Sequence, residues 1–168
     1  MENLIDVLRK ENSEYEELLK LSQRKTPIIV SGDLEQLQKV TDEEQMIVGR
    51  INQLEKQRQE VVADIANVLN KDVNTLKLTN IIAMLAARPT EQKLLAQVHD
   101  RLHDTVYTLK SVNEHNRELI ANSLEMVEFE MNLLQAMKAA PETANYNRGA
   151  YNSGTTMGVV SGGFDAKQ

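Results

Sequence analysis

The sequence predicts an all-α protein: an antiparallel long-helix coiled-coil bundle over residues 1–140, with three main helices and a short connecting helix, then a flexible Gly-rich C-terminal tail over residues 141–168. Three observations carry that expectation. Helix breakers are rare early on: Pro27, Pro89, Gly32 and Gly49 stand alone before residue 140, whereas five glycines crowd into the last 20 residues. Apolar residues recur in steps of three and four over long stretches, the spacing of a coiled-coil seam. Aromatics make up 4% of the chain and Trp is absent, so the core must come from Leu, Ile and Val on long helices.

Composition sets further bounds. A length of 168 residues allows one domain of ordinary size, or a small domain with an appendage. With 25 acidic against 19 basic residues, the charge of -6 argues against a nucleic-acid partner, which needs clustered positive charge. The absence of Cys excludes disulfides, thiolate metal sites and a cysteine nucleophile. Met1-Glu2-Asn3 lacks the basic start and apolar run of a secretory signal, and the longest uncharged apolar run is Ile81 to Ala87, so no membrane insertion is expected. The sequence therefore reads as a cytoplasmic protein.

The first helix takes residues 2 to about 25, with Leu4, Ile5, Leu8, Tyr15, Leu18, Leu19 and Leu21 at helical spacing, and is expected to end near Pro27. Ile28-Ile29-Val30, an apolar run with no partner strand, reads as a buried turn. Asp33 followed by Gln36 fits a capping box that restarts the chain. The second helix carries the clearest seam: Leu37, Val40, Glu44, Ile47, Ile51, Leu54, Arg58, Val61, Ile65 and Val68. Residues 70–89 break that pattern, and a short helix starting near Thr79 would bury Leu76, Leu78, Ile81, Ile82, Met84 and Leu85. From Pro89, suited to a first helical turn, a long helix runs to about Met137 or Ala139. Its seam is Leu95, Val98, Leu102, Thr105, Leu109, Val112, Asn116, Ile120, Leu124, Val127, Met131 and Leu134, with a stutter around Asn116.

Two long helices joined by a compact connection run antiparallel. A turn centred near residue 79 sets Glu44 opposite Asn116, and Arg58 near Leu102 between Asp100 and Asp104. A first turn centred near residue 29 or 30 sets Tyr15 beside Glu44. The expectation is a structural polar layer of Tyr15, Glu44 and Asn116, with Arg58 paired to an aspartate; such a layer fixes register more than it stabilises. A second apolar stripe, Leu119, Met126, Leu133 and Met137, lies about 100° from the seam. Either the first helix covers it, or part of it is a client-binding groove in which methionines pack adaptably against a partner helix.

Chemistry is not advertised. His99 and His103 have a spacing compatible with one metal, but no third ligand is in view and surface histidines explain them. The glycine-rich residues 158–163 precede no helix and no Lys-Ser/Thr pair, so they are not a phosphate loop. Glu14, Glu16 and Glu17 read as a solvated helix face. No catalytic residues, metal or cofactors are expected, and the chain reads as a binding protein rather than an enzyme.

Several segments together resemble the FlgN family: Val30-Ser31-Gly32-Asp33-Leu34-Glu35-Gln36-Leu37, then Glu43-Glu44-Gln45 and Leu54-Glu55-Lys56-Gln57-Arg58, the Leu78-Thr79 start of the short helix, Asn116-Arg117-Glu118-Leu119-Ile120 running into Ser123-Leu124-Glu125, and Tyr146-Asn147-Arg148-Gly149. Their order and spacing cover essentially the whole chain. The resemblance implies a cytoplasmic chaperone of flagellar type III export. Such a protein binds the C-terminal helical segments of the hook-associated, hook-filament junction proteins (FlgK and FlgL type), prevents their premature association and brings them to the export gate component FlhA. It also implies an export-gate docking role for a tail tyrosine, carried onto Tyr146; Tyr151, in a second similar Tyr-Asn-x-Gly, competes for the assignment. The alternative is a structural coiled-coil adaptor that self-associates through the same stripes.

Overall fold

The computed structural model describes residues 1–73 and 76–139. Four α-helices follow one another: α1 (Glu2–Ser31), α2 (Leu34–Val68), α3 (Leu78–Met84), extended by a 3-10 turn (Leu85–Ala87), and α4 (Pro89–Ala139). No strand occurs among the described residues. The chain divides into two compact units, Met1–Val127 and Glu128–Gln168.

In the first unit, α1 does not stop at Pro27 but continues through it to Ser31, and Ile28-Ile29-Val30 are helical rather than a turn. Pro27 removes one backbone donor, and an interior proline costs about 3 kcal/mol. Ile28 and Ile29 are both buried beyond it, and burying two such side chains returns about 3–6 kcal/mol. Gly32 then takes a left-handed conformation at φ 69°. Its N–H donates to the Ile29 carbonyl and the Asp33 N–H to the Ile28 carbonyl, which closes a Schellman cap.

The start of α2 is fixed by Asp33. Its carboxylate accepts the Gln36 backbone N–H at 3.0 Å, and the Gln36 side-chain amide donates back to it at 2.8 Å. The amide reaches the carboxylate rather than the Asp33 backbone N–H, which is already bonded to Ile28. The seam of α2 faces inward as its spacing predicts: Val40, Ile47 and Ile51 are buried, while Leu37, Leu54, Val61 and Ile65 are half-buried. Val68, at the helix end, is instead 85% exposed.

Side-chain contacts fix the directions. Glu11 meets Arg58 and Ser22 meets Glu44, so α1 and α2 run antiparallel. Asn12 meets Thr105 and Ser22 meets Asn116, so α1 and α4 run the same way. Two apolar clusters result. One gathers Leu4, Ile5, Leu8, Ala66, Leu76, Ile81, Leu85 and Leu95, where α3 closes one end of the bundle. The other gathers Leu18, Leu21, Ile28, Val40, Ile47, Ile51 and Leu109. α3 starts at Leu78, one residue from the expected Thr79, and leaves only Met84 of its expected apolar set exposed.

In the second unit, the described residues are the last part of α4, Glu128 to Ala139, and every side chain there is exposed.

Candidate partner-binding surface

Glu44 and Asn116 come together as their seam positions require, but their shared partner is Ser22 rather than Tyr15. The Ser22 hydroxyl donates to Glu44 at 3.2 Å, and the Asn116 amide donates to the Ser22 carbonyl at 2.8 Å. Thr26 donates to the Asn116 side-chain oxygen at 2.7 Å, and the Lys25 ammonium lies 2.7 Å from Glu44. This layer ties all three long helices in one register.

Tyr15 belongs to a second polar level. Its hydroxyl donates to Glu55 at 3.1 Å, eleven residues along α2 from Glu44. Arg58, expected against Asp100 or Asp104, pairs instead with Glu11 at 3.0 Å. Because α1 runs past Pro27, the turn sits at Gly32-Asp33 rather than at residue 29 or 30; each residue of the turn's displacement moves the α1–α2 register by two, so a displacement of about three residues accounts for about six of the eleven that separate Glu55 from Glu44. At this level Asn12 also accepts from the Thr105 hydroxyl at 3.2 Å. The Arg58 Nε lies between the two Glu11 carboxylate oxygens, at 3.3 Å with hydrogen-bond geometry to Oε1 and at 3.0 Å to Oε2 without it.

Burial sets the electrostatics here. Glu11 is 1% exposed, and desolvation raises its pKa against the pull of Arg58, with Glu55 raising it further. Tyr15 is pushed up to about 12, first by desolvation and then by the charge of Glu55 and the hydrogen bond to it. These groups are bonded to one another: Tyr15 to Glu55 and Glu11 to Arg58. His99 lies 3.0 Å from Asp100 and His103 3.7 Å from Asp104, and no group of three His, Asp or Glu that could hold a metal ion occurs among the described residues. Nor is any helix among them long and apolar enough to cross a membrane.

What is left open is a helix face. Along α4 the seam is buried or half-buried through Asn116, Ile120 is marginal, and every residue from Ala121 to Ala139 is exposed. Of the expected client-binding residues, Leu119 is half-buried and Met126 exposed in the first unit, and Leu133 and Met137 are exposed in the second. Within the first unit, the first helix does not cover Met126. Leu124, Val127, Met131 and Leu134, read from the sequence as part of the bundle seam, are exposed with them, as is Phe129. The signal for these was helix length. With Glu44 at the level of Asn116, α2 reaches its first residue, Leu34, at about the level of Met126. Tyr146 and Tyr151, the tyrosines expected to dock at the export gate, and the expected boundary at residue 141 lie outside the described residues.

The sequence pattern that defines the family described as "FlgN protein" matches residues 1–154. A protein of Bacillus subtilis (strain 168), described as "Uncharacterized protein YvyG", is 27% identical over 146 residues, covering 86% of this chain and 83% of its own length. No solved structure matches.

Proposed function

We infer the function from one premise: this chain belongs to the FlgN family, a family of flagellar export chaperones. The proposed activity is to hold the C-terminal helical segments of hook-associated junction proteins, of the FlgK and FlgL type, and to release them for assembly outside the cell. Those segments become subunit interfaces after secretion, so left free in the cytoplasm they would associate prematurely. The single observation that supports this reading is the uncovered face of α4, whose apolar residues continue at seam spacing after the chain's own helices run out.

Binding on this face requires no chemistry. Its strength would come from apolar area removed from water at about 25 cal/mol per Å², reduced by the ordering of a client segment that folds as it binds. The stripe Leu119, Met126, Leu133 and Met137 and the neighbouring exposed seam residues Met131 and Leu134 are the proposed client contacts, each face receiving one of the client's helical segments, with methionines giving a surface that repacks around related helices. Delivery is proposed to run through the tail, where Tyr146, or Tyr151 in the second similar motif, would dock at FlhA.

Co-purification with junction proteins, each carried with and without its last helices, tests the first step. A stable complex that depends on those helices is the expected result. A chain that captures neither protein and instead self-associates at micromolar concentration is a structural coiled coil, and the chaperone reading fails. For the second step, Tyr146→Ala should keep its client complex and lose export; unimpaired export removes the assignment.

A further inference from the structure

We propose that the client helix seated on the last turns of α4 carries basic residues along both edges of its apolar face. This deepens the client-binding reading above and rests on it. In the second unit, Met131 and Leu134 continue the seam, one heptad beyond Leu124 and Val127 in sequence. At about 100° per residue, Glu128 and Glu130 fall on opposite sides of the line joining Met131 to Leu134. They occupy the two edge positions that set partner choice in paired helices. All four side chains are exposed. The only basic residue among the described residues of this unit is Lys138, which stands on the seam line itself, one heptad from Met131.

That arrangement selects among occupants. A second copy of this chain would offer Glu128, Glu130, Gln135 and Met137 along the same edges, so neither glutamate would find a cation. A helix with neutral edges would partly desolvate two carboxylates without pairing them. A helix with Lys or Arg at its edges would pair both, and the aliphatic stems of those residues would lie along the flanks of the seam. The acidic edges thus disfavour self-association and favour a cationic amphipathic helix.

Two dye-labelled synthetic peptides of equal length test this, both with Leu and Ile at every seam position, one with Lys and the other with Glu at the edges. Titrated with the full-length chain and read by fluorescence anisotropy, the Lys peptide should bind roughly tenfold tighter, with the gap narrowing as salt rises. A Glu128→Lys/Glu130→Lys double variant should invert the preference while melting at the parent temperature, since both positions are exposed. Equal affinities, a stronger Glu peptide, or a preference that survives in the double variant overturns the proposal. Co-purification separates the charge preference from the client reading. If a junction protein's last helices bind the double variant as tightly as the parent, the charge inference fails and the client reading stands. If the parent captures no client, the client reading fails, and the peptides alone decide the charge preference.

Discussion

At Glu11 two forces oppose each other, and burial exceeds the attraction of Arg58. The folded carboxyl therefore holds its proton to higher pH than the unfolded one, whose ordinary value is 4.5. Its contribution to stability is complete below about pH 4.5 and declines as pH rises through the folded value. Glu11→Gln cannot titrate, so its melting temperature relative to the parent should climb between about pH 4 and pH 7. A constant difference across that range would mean that the ion pair with Arg58 fully offsets desolvation. Tyr15 has the same sign at the other end of the scale. Its contribution is intact below the ordinary value of 10.0 and is lost as pH rises toward about 12. At neutral pH, Tyr15→Phe should cost about 1 kcal/mol for the lost hydrogen bond to Glu55. That cost should shrink in alkaline melts, where the parent must hold its phenol protonated and the variant has none.

The elements were legible wherever the hydrophobic period was long enough to outvote local punctuation. The seam of α2 from Leu37 to Ile65 and the shared level of Glu44 and Asn116, both bonded to Ser22, follow from spacing alone, because a turn between two long antiparallel helices leaves little freedom in which residues face one another. The end of α1 was not legible. Pro27 is a helix breaker by propensity, and what overrides it is tertiary: two isoleucines buried beyond it and a glycine placed to close the helix. Reading the break literally displaced the turn, and with it the expected level of Tyr15, whose partner Glu55 lies eleven residues along α2 from Glu44. Gly32 is thus the residue on which the hairpin register depends. A Cβ at this position meets no atom within 4 Å, so only the φ of +69° opposes a side chain. Gly32→Ala should destabilise the protein by about 1–2 kcal/mol, the cost of a left-handed alanine. Gly49, helical and equally uncrowded, is the control: Gly49→Ala should stabilise by about 0.5–1 kcal/mol through helix propensity. Chemical denaturation of both variants beside the parent measures the difference directly.

For the whole molecule, the uncovered surface arises from a mismatch of lengths. α4 is 51 residues and α2 is 35, so an apolar seam written along all of α4 is longer than any other helix among the described residues. Neither number is hidden in the sequence. The seam simply reads the same whether its partner is the chain itself or another protein, because period reports a buried face and not what buries it. Stability and binding should therefore separate. Leu133 and Met137 are exposed and belong to neither apolar cluster, so Leu133→Ser and Met137→Ser should each leave the melting transition within about 0.5 kcal/mol of the parent. On the client interface proposed here, each truncation removes an apolar side chain at a cost of about 1–2 kcal/mol, and the pair together should weaken the complex by roughly two orders of magnitude. Leu109→Ser should do the reverse. It opens the core formed by Ile47 and Ile51, costs about 2–5 kcal/mol of folding stability, and should leave client affinity intact below the lowered melting temperature. A loss of stability in the Leu133 and Met137 variants, with client binding unchanged, would place this face inside the chain's own fold and move the client elsewhere.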